Sequence, residues 1–117
     1  MQRDRRAYLW DIRNALRLIL RFVENRTLED YRQDPMLRAA VERQFEIIGE
    51  ALSQLLRRFP VMAMHITQHS EIIAFRNMLV HGYHLVDDSI VWSVIHNDLL
   101  VLNQEIEGLA AEFDAST

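Results

Sequence analysis

The chain has 117 residues, half of them apolar, with no cysteine and only 3 Gly and 2 Pro. That length predicts one domain over 1–117, the missing cysteines exclude disulfides, thiolate metal ligands and cysteine nucleophiles, and so few breakers exclude a fold of many short strands. The formal net charge of -4 hides an asymmetry: residues 1–58 hold 12 Arg against 9 acids, residues 59–117 one Arg against 8 acids, so the chain is no general nucleic-acid coat and any RNA contact must be local or come from two paired basic surfaces.

The first segment opens on MQRDRRAYLW, charged and without the apolar stretch of an export signal, and no apolar run approaches the ~20 residues of a membrane span. A cytoplasmic protein without a membrane anchor is expected. From about Asp4 to Val23, Tyr8, Ile12, Ala15, Leu16, Ile19, Phe22 and Val23 recur at three- and four-residue steps, which predicts an amphipathic helix. Thr27 with Glu29 and Asp30 reads as the capped start of a short helix ending near Gln33. Asp34-Pro35 is a sharper start, because Asp34 caps free N–H groups and Pro35 sits where its missing N–H costs nothing. The long helix that follows carries Leu37, Val41, Phe45, Ile48, Leu52, Leu55 and Phe59, and Pro60 stops it. Residues 61–67 suit one helical turn. Ser70-Glu71 reads as the cap of a helix bearing Ile72, Ile73, Phe75, Leu79 and Val80, broken by Gly82 in a left-handed conformation. Asp87-Asp88-Ser89 caps one last long helix whose stripe runs from Ile90 to Phe113. The fold class is therefore all-α, an antiparallel bundle of four principal helices plus one or two short ones.

The stretch Phe75-Arg76-Asn77-Met78-Leu79-Val80-His81-Gly82-Tyr83 places Arg, Asn, His and Tyr at a helix end. Arg is a permanent cation that matches phosphate oxygens, and His moves protons near neutral pH. The pair suits phosphodiester cleavage without a metal ion or other cofactor. Five residues of ideal helix separate Arg76 from His81 by ~140° and ~7.5 Å, so the two share no face, whereas Asn77 and His81 do. Either the helix loosens before Gly82, or two copies of the motif meet across a twofold axis, or the charges only meet the helix dipole, with Arg76 paired to Glu71 or Glu50.

Arg76, four residues, His81, Gly82, Tyr83 resembles the Arg-x4-His-x-Tyr signature of the HepT toxins, a branch of the HEPN superfamily. Arg43-Gln44-Phe45-Glu46-Ile47-Ile48-Gly49-Glu50-Ala51 resembles that family's central helix, and Val91-Trp92 fits its last one. The resemblance implies a HEPN-type bundle that forms a homodimer with a shared cleft and acts as a metal-independent endoribonuclease toxin on RNA. Arg76 and His81 would be its catalytic residues and Asn77 a supporting one. It further implies an MntA-like nucleotidyltransferase antitoxin that transfers AMP from ATP to Tyr83, adding charge and bulk that exclude RNA. The alternative is a non-catalytic partner- or substrate-binding subunit of a nucleotidyltransferase complex. Glu50 reads as an ion-pair partner, and Gly49 as a site of close approach by another backbone or a tight helix crossing. His65 and His69 share a zinc-compatible spacing but lack an intervening acid and a third ligand, so no metal site is expected. Trp10 and Trp92 read as core or dimer packing. The cluster Arg3, Arg5, Arg6, Arg13, Arg17 and Arg21 reads as a solvated face, a guide for RNA or a dock for an acidic partner.

Overall fold

Four helix starts follow from short polar side chains that accept free N–H groups. In the computed structural model, which describes residues 3–115, helix α1 (Arg5–Phe22) is capped by Asp4 and the short α2 (Leu28–Gln33) by a reciprocal Thr27–Asp30 capping box. Helix α3 (Pro35–Arg58) is capped by Asp34, with Pro35 in its first turn. A 3-10 turn (Pro60–Met64) leads to α4 (His69–His81), and a second (Tyr83–Leu85) leads to α5 (Asp88–His96), capped by Asp87; α6 (Asp98–Ala115) follows. No strand forms among the described residues, and none of their helices is long and apolar enough to cross a membrane. The architecture is an all-α, HEPN-type bundle.

Helix α3 is the spine. Its stripe of Leu37, Val41, Phe45, Ile48, Leu52 and Leu55 is buried, packing on α1 along one side and on α4 along another. Burying each such side chain contributes roughly 1.5–3 kcal/mol before the entropy of ordering is subtracted. Helix α6 lies antiparallel to α1, tied by a two-pronged Arg17–Glu107 contact with both N–O distances 3.1 Å, and by the Arg5 guanidinium over the Phe113 ring at 4.7 Å. Tyr31 of α2 stacks obliquely on Trp92 of α5, their centroids 5.5 Å apart. Arg38 of α3 donates to the carbonyls of Tyr31 and Arg32 and so closes the end of α2.

Three expectations are corrected. The last helix is two: it breaks at Asn97, where ψ falls to -72°. No Gly or Pro causes the break. Asn97 Nδ2 donates to the Ser93 carbonyl at 2.8 Å and His96 Nδ1 lies 2.8 Å from the Trp92 carbonyl, so side chains compete for the helix's own acceptors. Helix α4 begins at His69 with Gln68 before it and no side-chain cap, so Ser70 and Glu71 lie inside its first turn. Gly82 ends α4 with φ -126° and ψ 42°, not in the left-handed region; its N–H still bonds the Met78 carbonyl and the chain passes into the 3-10 turn.

Candidate active site at the end of the fourth helix

Helix α4 is fixed against α3 by the edge of Phe75 on Phe45, at 4.9 Å between ring centroids. Arg76, the next residue, is turned toward α3. Its stem crosses Gly49, where a Cβ would come within 2.4 Å of Arg76 Cβ and Cγ and 2.9 Å of Nε. The group that comes close at Gly49 is this side chain and not another backbone. Arg76 Nε is buried without a hydrogen-bond partner, and Nη2 lies 3.3 Å from Glu50 Oε2. Glu50 is held in turn by Gln54, whose Nε2 donates to Oε1 at 2.7 Å. Of the two acids considered for Arg76, the structure selects Glu50. Gln54 was missed; its i+4 spacing from Glu50 was the available signal.

Helix α4 remains regular through His81. It therefore does not loosen before Gly82, and Arg76 and His81 keep different faces. Arg76 is 17% exposed in its side chain, while Asn77 and His81 both face solvent, and no other described residue hydrogen-bonds either side chain. Tyr83 stands in the following 3-10 turn, 75% exposed, with its ring edge-on to His84 at 6.0 Å. The two other tyrosines, Tyr8 and Tyr31, are fully buried, and burial pushes the Tyr31 hydroxyl well above its ordinary range. One end of α4 thus holds a cation, an imidazole and an accessible phenol, divided between an inner and an outer face.

The remaining candidates fall elsewhere. His65 follows the first 3-10 turn and His69 opens α4, so their four-residue spacing is not one turn of a common helix. Trp10 is 58% exposed and not in the core, whereas Trp92 is half-buried between Tyr31 and His96. Of the Arg cluster, Arg3 pairs with Asp11, Arg6 with Asp4 and Arg17 with Glu107, and Arg5 covers Phe113. Much of that positive surface is satisfied within the chain.

Comparison with known proteins agrees with the family that the resemblance names. The family model described as Ribonuclease HepT-like matches residues 12–109. A probable ribonuclease HepT of Thermococcus cleftensis is 33% identical over 109 residues, covering 93% of this chain and 98% of the relative. A putative RNase of Methanocaldococcus jannaschii is 28% identical over 106 residues, 91% of this chain and 96% of the relative. A second protein of that organism, named as a gamma-glutamylcyclotransferase and putative RNase, is 32% identical over 114 residues; the match covers 97% of this chain but only 51% of the relative, about half its length. No solved structure matches the chain significantly. The chain belongs to the HepT-like ribonuclease family.

Proposed function

We propose that this ribonuclease is the toxin of a toxin–antitoxin pair, an endoribonuclease that needs no metal ion and in which Arg76 and His81 are catalytic. His81 takes the proton of the RNA 2′-hydroxyl as that oxygen attacks phosphorus, and a proton is returned to the 5′-oxygen as its bond to phosphorus breaks. Arg76 stabilises the charge that builds on the phosphate oxygens, and Asn77, one turn from His81 on the same face, orients the imidazole or the substrate. Because α4 stays helical, the reading includes a homodimer in which two α4 ends share a cleft and supply both groups to one phosphate.

Tyr83 is the modification site in this reading. Its hydroxyl attacks the α-phosphorus of ATP in the active site of an MntA-like nucleotidyltransferase antitoxin, loses its proton and releases pyrophosphate. The AMP group left beside the cleft repels RNA by charge and obstructs it by size. The observation that carries the proposal is the exposure of Tyr83 next to His81: it is the tyrosine a partner enzyme can reach, since Tyr8 and Tyr31 are sealed in the core.

The test uses the purified chain, alone and co-expressed with a nucleotidyltransferase, on total RNA in the presence of EDTA. The lone wild-type chain is expected to cut. His81→Ala and Arg76→Ala are expected to lose at least about 100-fold in rate while keeping the helical circular-dichroism spectrum. The co-expressed chain is expected to gain the mass of AMP, absent in Tyr83→Phe, and to be inactive. The second reading, a non-catalytic subunit, draws on the separation of Arg76 and His81 within one chain; an unmodified chain that never cuts RNA would establish it.

A further inference from the structure

An arginine on a helix surface ordinarily samples many rotamers, and a guanidinium can meet a phosphate through either of two edges, Nε with one Nη or both Nη together. Here three features remove that freedom. The Arg76 stem passes over Gly49 so closely that a Cβ there would sit 2.4 Å from two of its carbons. Arg76 Nε is buried and donates to nothing, which closes the lateral edge to a ligand. Glu50 Oε2 draws Nη2 to one side at 3.3 Å, and Gln54 holds that carboxylate from behind. What remains for an anion is the end of the guanidinium.

We infer that Gly49 and Glu50 are positioning residues for RNA cleavage: Gly49 routes the Arg76 side chain across α3, and Glu50 sets the rotation of its guanidinium, so that the scissile phosphate is met end-on by Nη1 and Nη2. The inference rests on the reading of Arg76 as the phosphate-binding group. Glu50 itself is unsuited to touch the phosphate, since like charges repel, and its work is done through Arg76. The Glu50 side chain is 57% exposed, so the ion pair contributes little to stability. Its loss should therefore be visible in catalysis and nearly invisible in melting.

The experiment measures steady-state cleavage of a fluorescent single-stranded RNA oligonucleotide by the full chain in EDTA, with thermal melts in parallel, for wild type, Arg76→Ala, Glu50→Ala, Glu50→Asp and Gly49→Ala. Glu50→Ala is expected to lower kcat by about 10- to 100-fold, the scale on which a misplaced catalytic group loses rate, with KM within about threefold of wild type and the melting temperature unmoved. Glu50→Asp is expected to recover part of the loss. Gly49→Ala is expected to lose at least as much, and if that variant fails to fold, the two Glu50 variants decide alone. Wild-type or higher kcat in Glu50→Ala, or a rise in KM alone, overturns the inference if Arg76→Ala is inactive. Full activity in Arg76→Ala overturns the phosphate-binding reading beneath it, and with it this inference.

Discussion

At the scale of single residues, the informative contrasts are between like groups in unlike settings. Glu42 is a carboxylate on α3 whose half-buried position and proximity to Asp88 raise its pKa above the ordinary value, with desolvation the larger cause and Arg38 opposing it. Ionised Glu42 is thus less favourable in the fold than in the unfolded chain. The stability this group contributes is full below the ordinary carboxylate pKa of 4.5 and is lost as pH rises through its raised folded value. Glu42→Gln is expected to raise the melting temperature slightly at pH 7, and the advantage should vanish below pH 4.5; a pH series of thermal melts reads both. Much of the candidate site was legible at this scale. The residue types and the spacing of Arg76, Asn77, His81 and Tyr83 identified the segment, and helix geometry alone said that Arg76 and His81 point apart. What spacing could not convey is that Arg76 lies folded against Gly49, since that depends on how two distant helices cross.

Among the elements, the starts of α2, α3 and α5 were readable because capping is local chemistry: a side-chain oxygen reaches N–H groups two or three residues ahead and needs no tertiary partner. Thr27→Ala is expected to cost up to about 1 kcal/mol, measured as a lowered midpoint in urea, because it removes one arm of the capping box while leaving Asp30 in place. The start of α4 was misplaced for the complementary reason. It has no side-chain cap, and Thr67 just before it is instead secured by Glu105 of α6, whose carboxylate accepts from the Thr67 N–H at 3.1 Å and its hydroxyl at 2.9 Å. A partner 38 residues away leaves no local signature. The α5–α6 break was hidden because the apolar stripe runs through it: Val91, Ile95, Leu99 and Leu102 are all buried on either side of Asn97. Periodicity reports which face is inside, and a kink that preserves the inner face does not disturb it.

For the whole molecule, the fold class followed from four amphipathic stripes and the scarcity of Gly and Pro, and the bundle buries most of those stripes, leaving Val80 of α4 and Ile90 of α5 exposed. The even split between apolar and polar residues supplies one continuous core reaching from Tyr8 to Leu109. The net charge had a less direct meaning. The Arg-rich first half and the acidic last half do not form two opposed surfaces, because α1 and α6 lie side by side and Arg17 meets Glu107. Charge asymmetry in sequence is here partly a record of which helices are neighbours.

That pairing of the first and last helices has a topological consequence. With Arg5 seated on Phe113, the two ends of the described chain emerge together, so a short flexible peptide could join them and turn the bundle into a closed ring. The ring could then be reopened in the exposed turn after α1, where Asn25 takes φ 60° and no helix is cut. A circular permutant starting at Arg26 is expected to give the helical spectrum and cooperative melt of the parent, and a molten or aggregated product would show that the order in which the helices are made matters as well as their packing.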